Sequence, residues 1–248
     1  MSNDTLAALV ILFFLTSVVG VVTGSNSLIT VPVMFQFGID EKVAVATNMF
    51  GLMFMAIGGS IPFVRSGSVD YRKVAPLVIL TVVSSAIGAA LVGLITNQGI
   101  KVIVTVAMVV VTIFTIFNRK SNGEKTVSGR SVTLSYVLTF LLGIYGGLYS
   151  GGYVTILTAV LVAFFGMSYL ESIASTKIIN VFSSAVATLV FMWQGLVDYK
   201  LGLVLGLTMF VGAYVGAHYA SKMNEIWLRR IFLTTVLLLA AKAAWDLV

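Results

Sequence analysis

The sequence predicts an all-α, polytopic integral membrane protein: two inverted repeats of about five membrane segments each, with broken or short helices near the midplane. Three observations carry this. Of the 248 residues, 59% are hydrophobic and 10% charged, against about a quarter charged in an ordinary soluble domain, so most of the chain must face lipid or other spans. Segments also recur 128 residues apart: Phe37-Gly38 and Gly67-Ser68-Val69-Asp70-Tyr71 return as Phe165-Gly166 and Gly195-Leu196-Val197-Asp198-Tyr199. At the same offset Gly24 falls on Gly152, Ala46 on Ala174 and Gly88-Ala89 on Gly216-Ala217. Finally, each copy holds one apolar run too short to cross a membrane untilted. Duplication in a polytopic chain points to a transporter whose site lies where the copies meet.

The first run, 5 to 23, follows Met1-Ser2-Asn3-Asp4-Thr5 with no positive n-region and no clear small-residue cleavage site. It reads as a retained helix. Runs of about 20 residues cross a hydrocarbon core of about 30 Å, and 43 to 64, 73 to 96, 101 to 117, 132 to 149, 169 to 194, 200 to 221 and 226 to 245 qualify. The runs 27 to 38 and 153 to 166 measure only about 18 and about 21 Å as helices. They are half-helices or short, steep spans. Each follows a small polar break, Gly24-Ser25-Asn26-Ser27 in the first copy and Ser150-Gly151-Gly152 in the second. The organisation is a first repeat over 1–117, a cytoplasmic linker over 118–131 and a second repeat over 132–248.

Charge placement bears on topology. If both short runs return the chain to its starting side, one side carries Arg65, Arg72, Lys73, Arg119, Lys120, Lys125, Arg130, Lys222, Arg229 and Arg230. The other then has only Lys42, Lys101, Lys200 and Lys242. If neither returns, there are eight spans, parallel repeats and a split of nine to five. The first division is the clearer positive-inside signal and favours ten segments, inverted repeats and both termini outside. The expected location is the cell inner (plasma) membrane, with several passes.

A break in the backbone at membrane depth frees N–H and C=O groups, which is tolerated where they line a cavity or meet a ligand. Ser25, Asn26 and Ser27 are N-cap residue types ahead of the run from Leu28, and Ser150, Gly151 and Gly152 stand likewise ahead of Tyr153. Each helix start offers about half a positive charge to an anion, and in an inverted pair the two starts converge. The plainer alternative is that Gly and Ser only permit close helix packing. Two breaks at equivalent positions favour a pocket. Pro32 admits a kink in the first short helix.

Lys177 lies about eight residues inside an apolar run. A lysine at helix centre costs about 2.5 to 3.5 kcal/mol on insertion scales and needs compensation. An anionic substrate would supply it; alternatively the side chain snorkels, being about 12 Å from the helix end. Ser175, Thr176 and Asn180 accompany it, Asn180 on the same helical face, and Thr47-Asn48 holds the equivalent place in the first unit. The carboxylates Asp40, Glu41, Asp70, Glu124, Asp198 and Glu225 fall at loops or helix ends. Glu171 reads as a helix-start residue rather than a proton relay, and Asp70 and Asp198 as N-caps. His218 reads as a packing residue, with proton coupling the alternative. Trp193, Trp227 and Trp245 suit an interfacial belt.

The chain has no cysteine and one histidine, so thiolate chemistry and a histidine metal cluster are excluded within it. No cofactor is expected. With no paired acids, histidine cluster or cysteine, an intramembrane enzyme is the least favoured class. Basic residues sit in short loops rather than one patch, which argues against nucleic acid.

These residues resemble a family. Gly24-Ser25-Asn26-Ser27-Leu28-Ile29-Thr30-Val31-Pro32, then Ala44-Val45-Ala46-Thr47-Asn48 and Gly67-Ser68-Val69-Asp70, look like the first half of the TauE/SafE sulfite exporter family. Gly151-Gly152-Tyr153, Ser175-Thr176-Lys177 to Asn180 and Gly195-Leu196-Val197-Asp198-Tyr199 look like its second half. The resemblance covers essentially the whole chain. It implies secondary transport of sulfur-containing anions such as sulfite or organosulfonates. Many members have a Gly-rich G-x-G-G-G in the first unit where this chain has Ser25-Asn26-Ser27, a departure that bears on substrate preference. The expected site is Ser25, Asn26, Ser27, Thr47, Asn48, Ser150, Gly151, Gly152, Thr176, Lys177 and Asn180. The expected partners are a small anionic substrate, the lipid bilayer and a second copy in a homodimer. The competing readings are a transporter or channel for another small anion or amino acid, and a structural or assembly membrane protein.

Overall fold

The structure is a computed structural model that describes residues 3–117, 129–224, 226, 227, 230 and 234. Most of the 118–131 linker, most of the last apolar run and Trp245 therefore lie outside the described residues. Within them the chain forms nine helices: α1 (Asn3–Thr23), α2 (Ser27–Gln36), α3 (Glu41–Arg65), α4 (Tyr71–Leu94), α5 (Asn97–Phe117), α6 (Gly129–Leu148), α7 (Tyr153–Phe165), α8 (Tyr169–Trp193) and α9 (Tyr199–Ala220). Five of them, α1, α3, α4, α8 and α9, are long and apolar enough to cross a membrane. Helix α6 starts at Gly129, inside the segment expected to be linker.

The duplication extends to backbone conformation. Glycines with positive φ stand at 24, 38 and 67 and again at 152, 166 and 195, every pair at the sequence offset of the repeat. Five of them follow helix C-termini and Gly152 precedes α7, and at each only glycine reaches the left-handed region without a Cβ penalty. Helix starts repeat too. Asp40 accepts from Lys42 N and Val43 N, Ser168 from Glu171 N, Asp70 from Arg72 N and Lys73 N, and Asp198 from Leu201 N. Asp198→Ala should cost about 1 kcal/mol through loss of this cap, seen as a lower melting temperature in detergent.

The copies interlock instead of packing separately. Helix α4 packs on α6 and α8 of the second copy, and α9 packs on α1 and α3 of the first. Glycines set these contacts by letting backbones approach. Gly202 faces the Phe50 ring and Gly206 the Phe54 ring, while Gly58 abuts the Phe210 backbone, so α3 and α9 run parallel. Gly143 meets Ser84 and Thr81, and Gly147 meets Ser85, so α4 and α6 run parallel as well. Helices α3 and α8 run antiparallel: Asp198 N, just past the end of α8, donates to Thr47 Oγ1 near the start of α3 at 3.0 Å, whereas Lys177, early in α8, lies beside Gly59 late in α3.

Short helix α2 leads back toward the end of the bundle where α3 begins. Its first residue is tied to Asn48 (Asn48 Nδ2 to Ser27 Oγ, 2.9 Å), about 10 Å along α3 by helical rise, and Gln36 connects by a short turn to Glu41. Polar contacts sort the loops into two ends. At one, Lys101 pairs with Glu41 at 2.7 Å, Asn97 bonds Asp40, Lys42 Nζ reaches Gly93 O, and Gln194 donates to Ala89 O and Ala90 O. At the other, Lys73 pairs with Glu171 at 3.1 Å and Asp70 at 3.6 Å. Glu171 is therefore a helix-start residue with an ion pair, away from the interior. Because that pair is partly exposed, Glu171→Gln should change stability by less than about 1 kcal/mol, an effect that shrinks further in high salt.

Candidate functional site

The two polar breaks, far apart in sequence, meet in space. Gly24 ends α1 with φ 71°, and a Cβ there would lie 2.7 Å from both Thr155 N and Val154 Cβ, so glycine is what lets this turn rest on the first turn of α7. Two hydrogen bonds cross between the copies at this point. Thr155 Oγ1 donates to Thr23 O at 2.7 Å, and Tyr149 OH donates to Ser27 O at 2.9 Å.

The short helices begin without side-chain caps. Asn26 holds the N-cap position of α2 and Gly152 that of α7, and neither start receives a side-chain capping bond. This differs from the capping expected of Ser25, Asn26 and Ser27. The Ser25 hydroxyl pairs with Thr23 Oγ1 at 2.7 Å, and the Ser27 hydroxyl accepts from Asn48. The first turn of α2 tightens instead, with Leu28 N bonding Ser25 O and Ile29 N bonding Asn26 O. Among the described residues, the partial positive charge of both starts is thus left without a protein anion or side-chain acceptor.

Between the starts lies a narrow cavity. Its polar wall is Asn26, Ser27, Ser150, Lys177 and Asn180; Gly20 and Gly24 adjoin it, and Leu52, Met55, Ala56 and Val154 form an apolar wall. The space between them that a water-sized sphere can enter holds about one water molecule. Lys177 and Asn26 are each only 3% exposed. Lys177 has no ion-pair or hydrogen-bond partner among the described residues, and both Oδ1 and Nδ2 of Asn26 are unpartnered. Its stem passes Gly59 of α3, so Lys177 points into the bundle and does not snorkel to the membrane surface. A buried ammonium and a buried free amide are costly without partners, and the same groups are donors for an anion.

Six of the expected site residues stand outside this wall, for identifiable reasons. Thr47 is turned away to accept from Asp198 N. Asn48 lies one layer behind, bridging Ser27 Oγ and Thr30 Oγ1, the latter at 2.8 Å. Thr176, its counterpart in the repeat, bonds Ile173 O at 2.9 Å and approaches the Thr158 hydroxyl at 3.4 Å. Ser25 is engaged by Thr23. Gly151 O accepts from Tyr145 OH, and Gly152 supplies the left-handed turn that starts α7. The apolar wall on α3 was not legible as part of the site, since Met and Leu in a span read as packing, and neither were tyrosines 145 and 149, which bond the two breaks from outside the wall. Tyr149 had one signal, its position directly before the second break. His218 stacks on Tyr214, and its Nε2 lies 3.0 Å from Lys222 Nζ near the end of α9, away from the cavity wall.

Comparison with known proteins adds to this. The family model described as "Sulfite exporter TauE/SafE" matches residues 9–243. A probable membrane transporter protein, ORF9, of a Sinorhizobium species is 26% identical over 97% of this chain and 93% of its own length. One from Haemophilus influenzae is 25% identical over 98% and 96%, and the probable membrane transporter protein YdhB of Bacillus subtilis 22% identical over 91% and 95%. No solved structure matches significantly.

Proposed function

Because this chain belongs to the TauE/SafE sulfite exporter family, a family of membrane transporters that makes it a multi-pass protein of the cell membrane, we propose that it moves small sulfur-containing anions by alternating access. The anions are sulfite, organosulfonates or close relatives. One observation carries the reading: Lys177, buried without a counter-charge among the described residues, shares a cavity with the unpartnered Asn26 amide where two uncapped helix starts meet. A sulfite or sulfonate group has oxygens for all of these donors. The two repeats act as inverted units. Support comes from the antiparallel course of α3 and α8, which occupy equivalent places in the duplication, and from α2 turning back toward the start of α3. The cavity has room for about one water, so loading requires its walls to part. The cross-copy bonds from Thr155 and Tyr149 are the contacts that such a movement breaks and remakes.

Melting curves of the purified protein with sulfite, thiosulfate, taurine, sulfoacetate and simple carboxylates test this. A ligand at a hundred times its Kd stabilises the folded state by about 2.7 kcal/mol. Stabilisation by sulfite or a sulfonate at low millimolar concentration, well below the range where salts act by exclusion, is the expected result. Preference for carboxylates would assign another solute, and no response to any anion would favour a structural role. Asn26→Ala should leave the unliganded protein as stable as before, since no partner is lost, while weakening anion binding about tenfold, the worth of one hydrogen bond to a charged group.

A further inference from the structure

We infer that this site selects singly charged anions over doubly charged ones of the same shape, because Lys177 is the sole formal charge in its wall among the described residues. The inference rests on the anion-site reading above. The other polar wall residues, Asn26, Ser27, Ser150 and Asn180, are neutral, and the rest are apolar or glycine. The other described cations with contacts are engaged away from the wall: Lys73 with Asp70 and Glu171, Lys101 with Glu41, Lys42 at the Gly93 carbonyl, Lys222 with His218 and Arg230 over the Trp227 ring. Arg65 and Arg72 are exposed. None of these stands in the wall to balance a second negative charge.

The physics of a narrow, poorly hydrated site makes this decisive. The cost of removing an ion from water rises with the square of its charge, whereas its attraction to one fixed ammonium rises only in proportion. A monoanion beside Lys177 leaves the cavity neutral. A dianion meets about four times the desolvation cost for about twice the attraction, and leaves one negative charge buried. The helix starts and neutral donors contribute partial charges to both, and these do not amount to a second cation. The narrowness of the cavity reinforces the effect, since it holds too little water to screen the excess charge.

Methanesulfonate and sulfate are the discriminating pair. They are tetrahedral and of nearly equal size, and differ by one methyl in place of one charged oxygen. Titration calorimetry of the full chain at constant ionic strength is the measurement, because sulfate stabilises proteins by exclusion and would confound melting curves. Methanesulfonate is expected to bind at least about tenfold more tightly than sulfate. Equal affinity, or tighter sulfate, overturns the charge rule and leaves the anion site standing; heat from neither removes the anion site and the rule with it. Two variants read the same rule independently. Lys177→Met should shift preference toward dimethyl sulfone, the neutral molecule of that shape, and Asn180→Lys should narrow the gap between methanesulfonate and sulfate at least about tenfold. A gap unchanged by Asn180→Lys would show that wall charge does not set the selectivity.

Discussion

Lys177→Met is expected to weaken anion binding about 10- to 100-fold, the worth of a charge-assisted hydrogen bond of about 1.5 to 3 kcal/mol, and to remove transport. It should also make the unliganded protein more stable. The ammonium is buried with no partner among the described residues, and a centrally placed lysine costs about 2.5 to 3.5 kcal/mol to insert. Methionine fills a similar stem volume without that cost. The opposite signs matter because they separate function from folding: a residue kept for packing would lose stability on substitution, and one kept for the ligand loses affinity and gains stability. Melting temperature in detergent together with a binding isotherm reads both. A destabilised Lys177→Met protein with unchanged affinity would return this lysine to a structural role.

Gly24→Ala should be the most damaging single methyl group at the site. A non-glycine residue at φ 71° costs about 1 to 2 kcal/mol, and the added Cβ would also press on the α7 backbone at Thr155 N, 2.7 Å away. Backbone cannot swing aside as a flexible side chain can, so the start of α7 must shift, carrying with it the Thr155 bond to Thr23 O. Gly38→Ala provides the internal comparison. It shares the positive φ of 78° but meets nothing within 4 Å, so it should show the conformational cost alone. The expected result is a Gly38→Ala protein about 1 kcal/mol less stable that still binds anion, beside a Gly24→Ala protein that is several-fold more perturbed and has lost binding. Equal effects would mean that contact between the two breaks is not what holds the site together.

The sequence displayed the fold more fully than the site. Hydropathy length and the recurring Gly-x-x-Asp-Tyr corners located the helices because each rests on local physics: apolar runs, aspartate caps at 70 and 198, and glycines where φ must be positive. Asn26, Ser27, Ser150, Lys177 and Asn180 were readable as a group because polar residues at membrane depth are exceptional. What was not readable is direction. Thr47 and Lys177 are both polar and buried in copies of the same helix, yet Thr47 serves the start of α9 and Lys177 faces the cavity. That depends on which neighbour each face meets, and the interlocking of α4 and α9 between copies is a tertiary fact with no local signature. The apolar wall of Leu52, Met55 and Ala56 was hidden for the same reason.

The central claim is that an anion sits between the two helix starts on Lys177. Selenite, the selenium counterpart of sulfite, makes it directly visible. Anomalous diffraction from crystals of the full chain grown with selenite is predicted to show one selenium peak in the cavity, its oxygens within about 2.7 to 3.2 Å of Lys177 Nζ and the Asn26 side chain. A peak elsewhere in the protein, or an empty cavity at saturating selenite, would contradict the account.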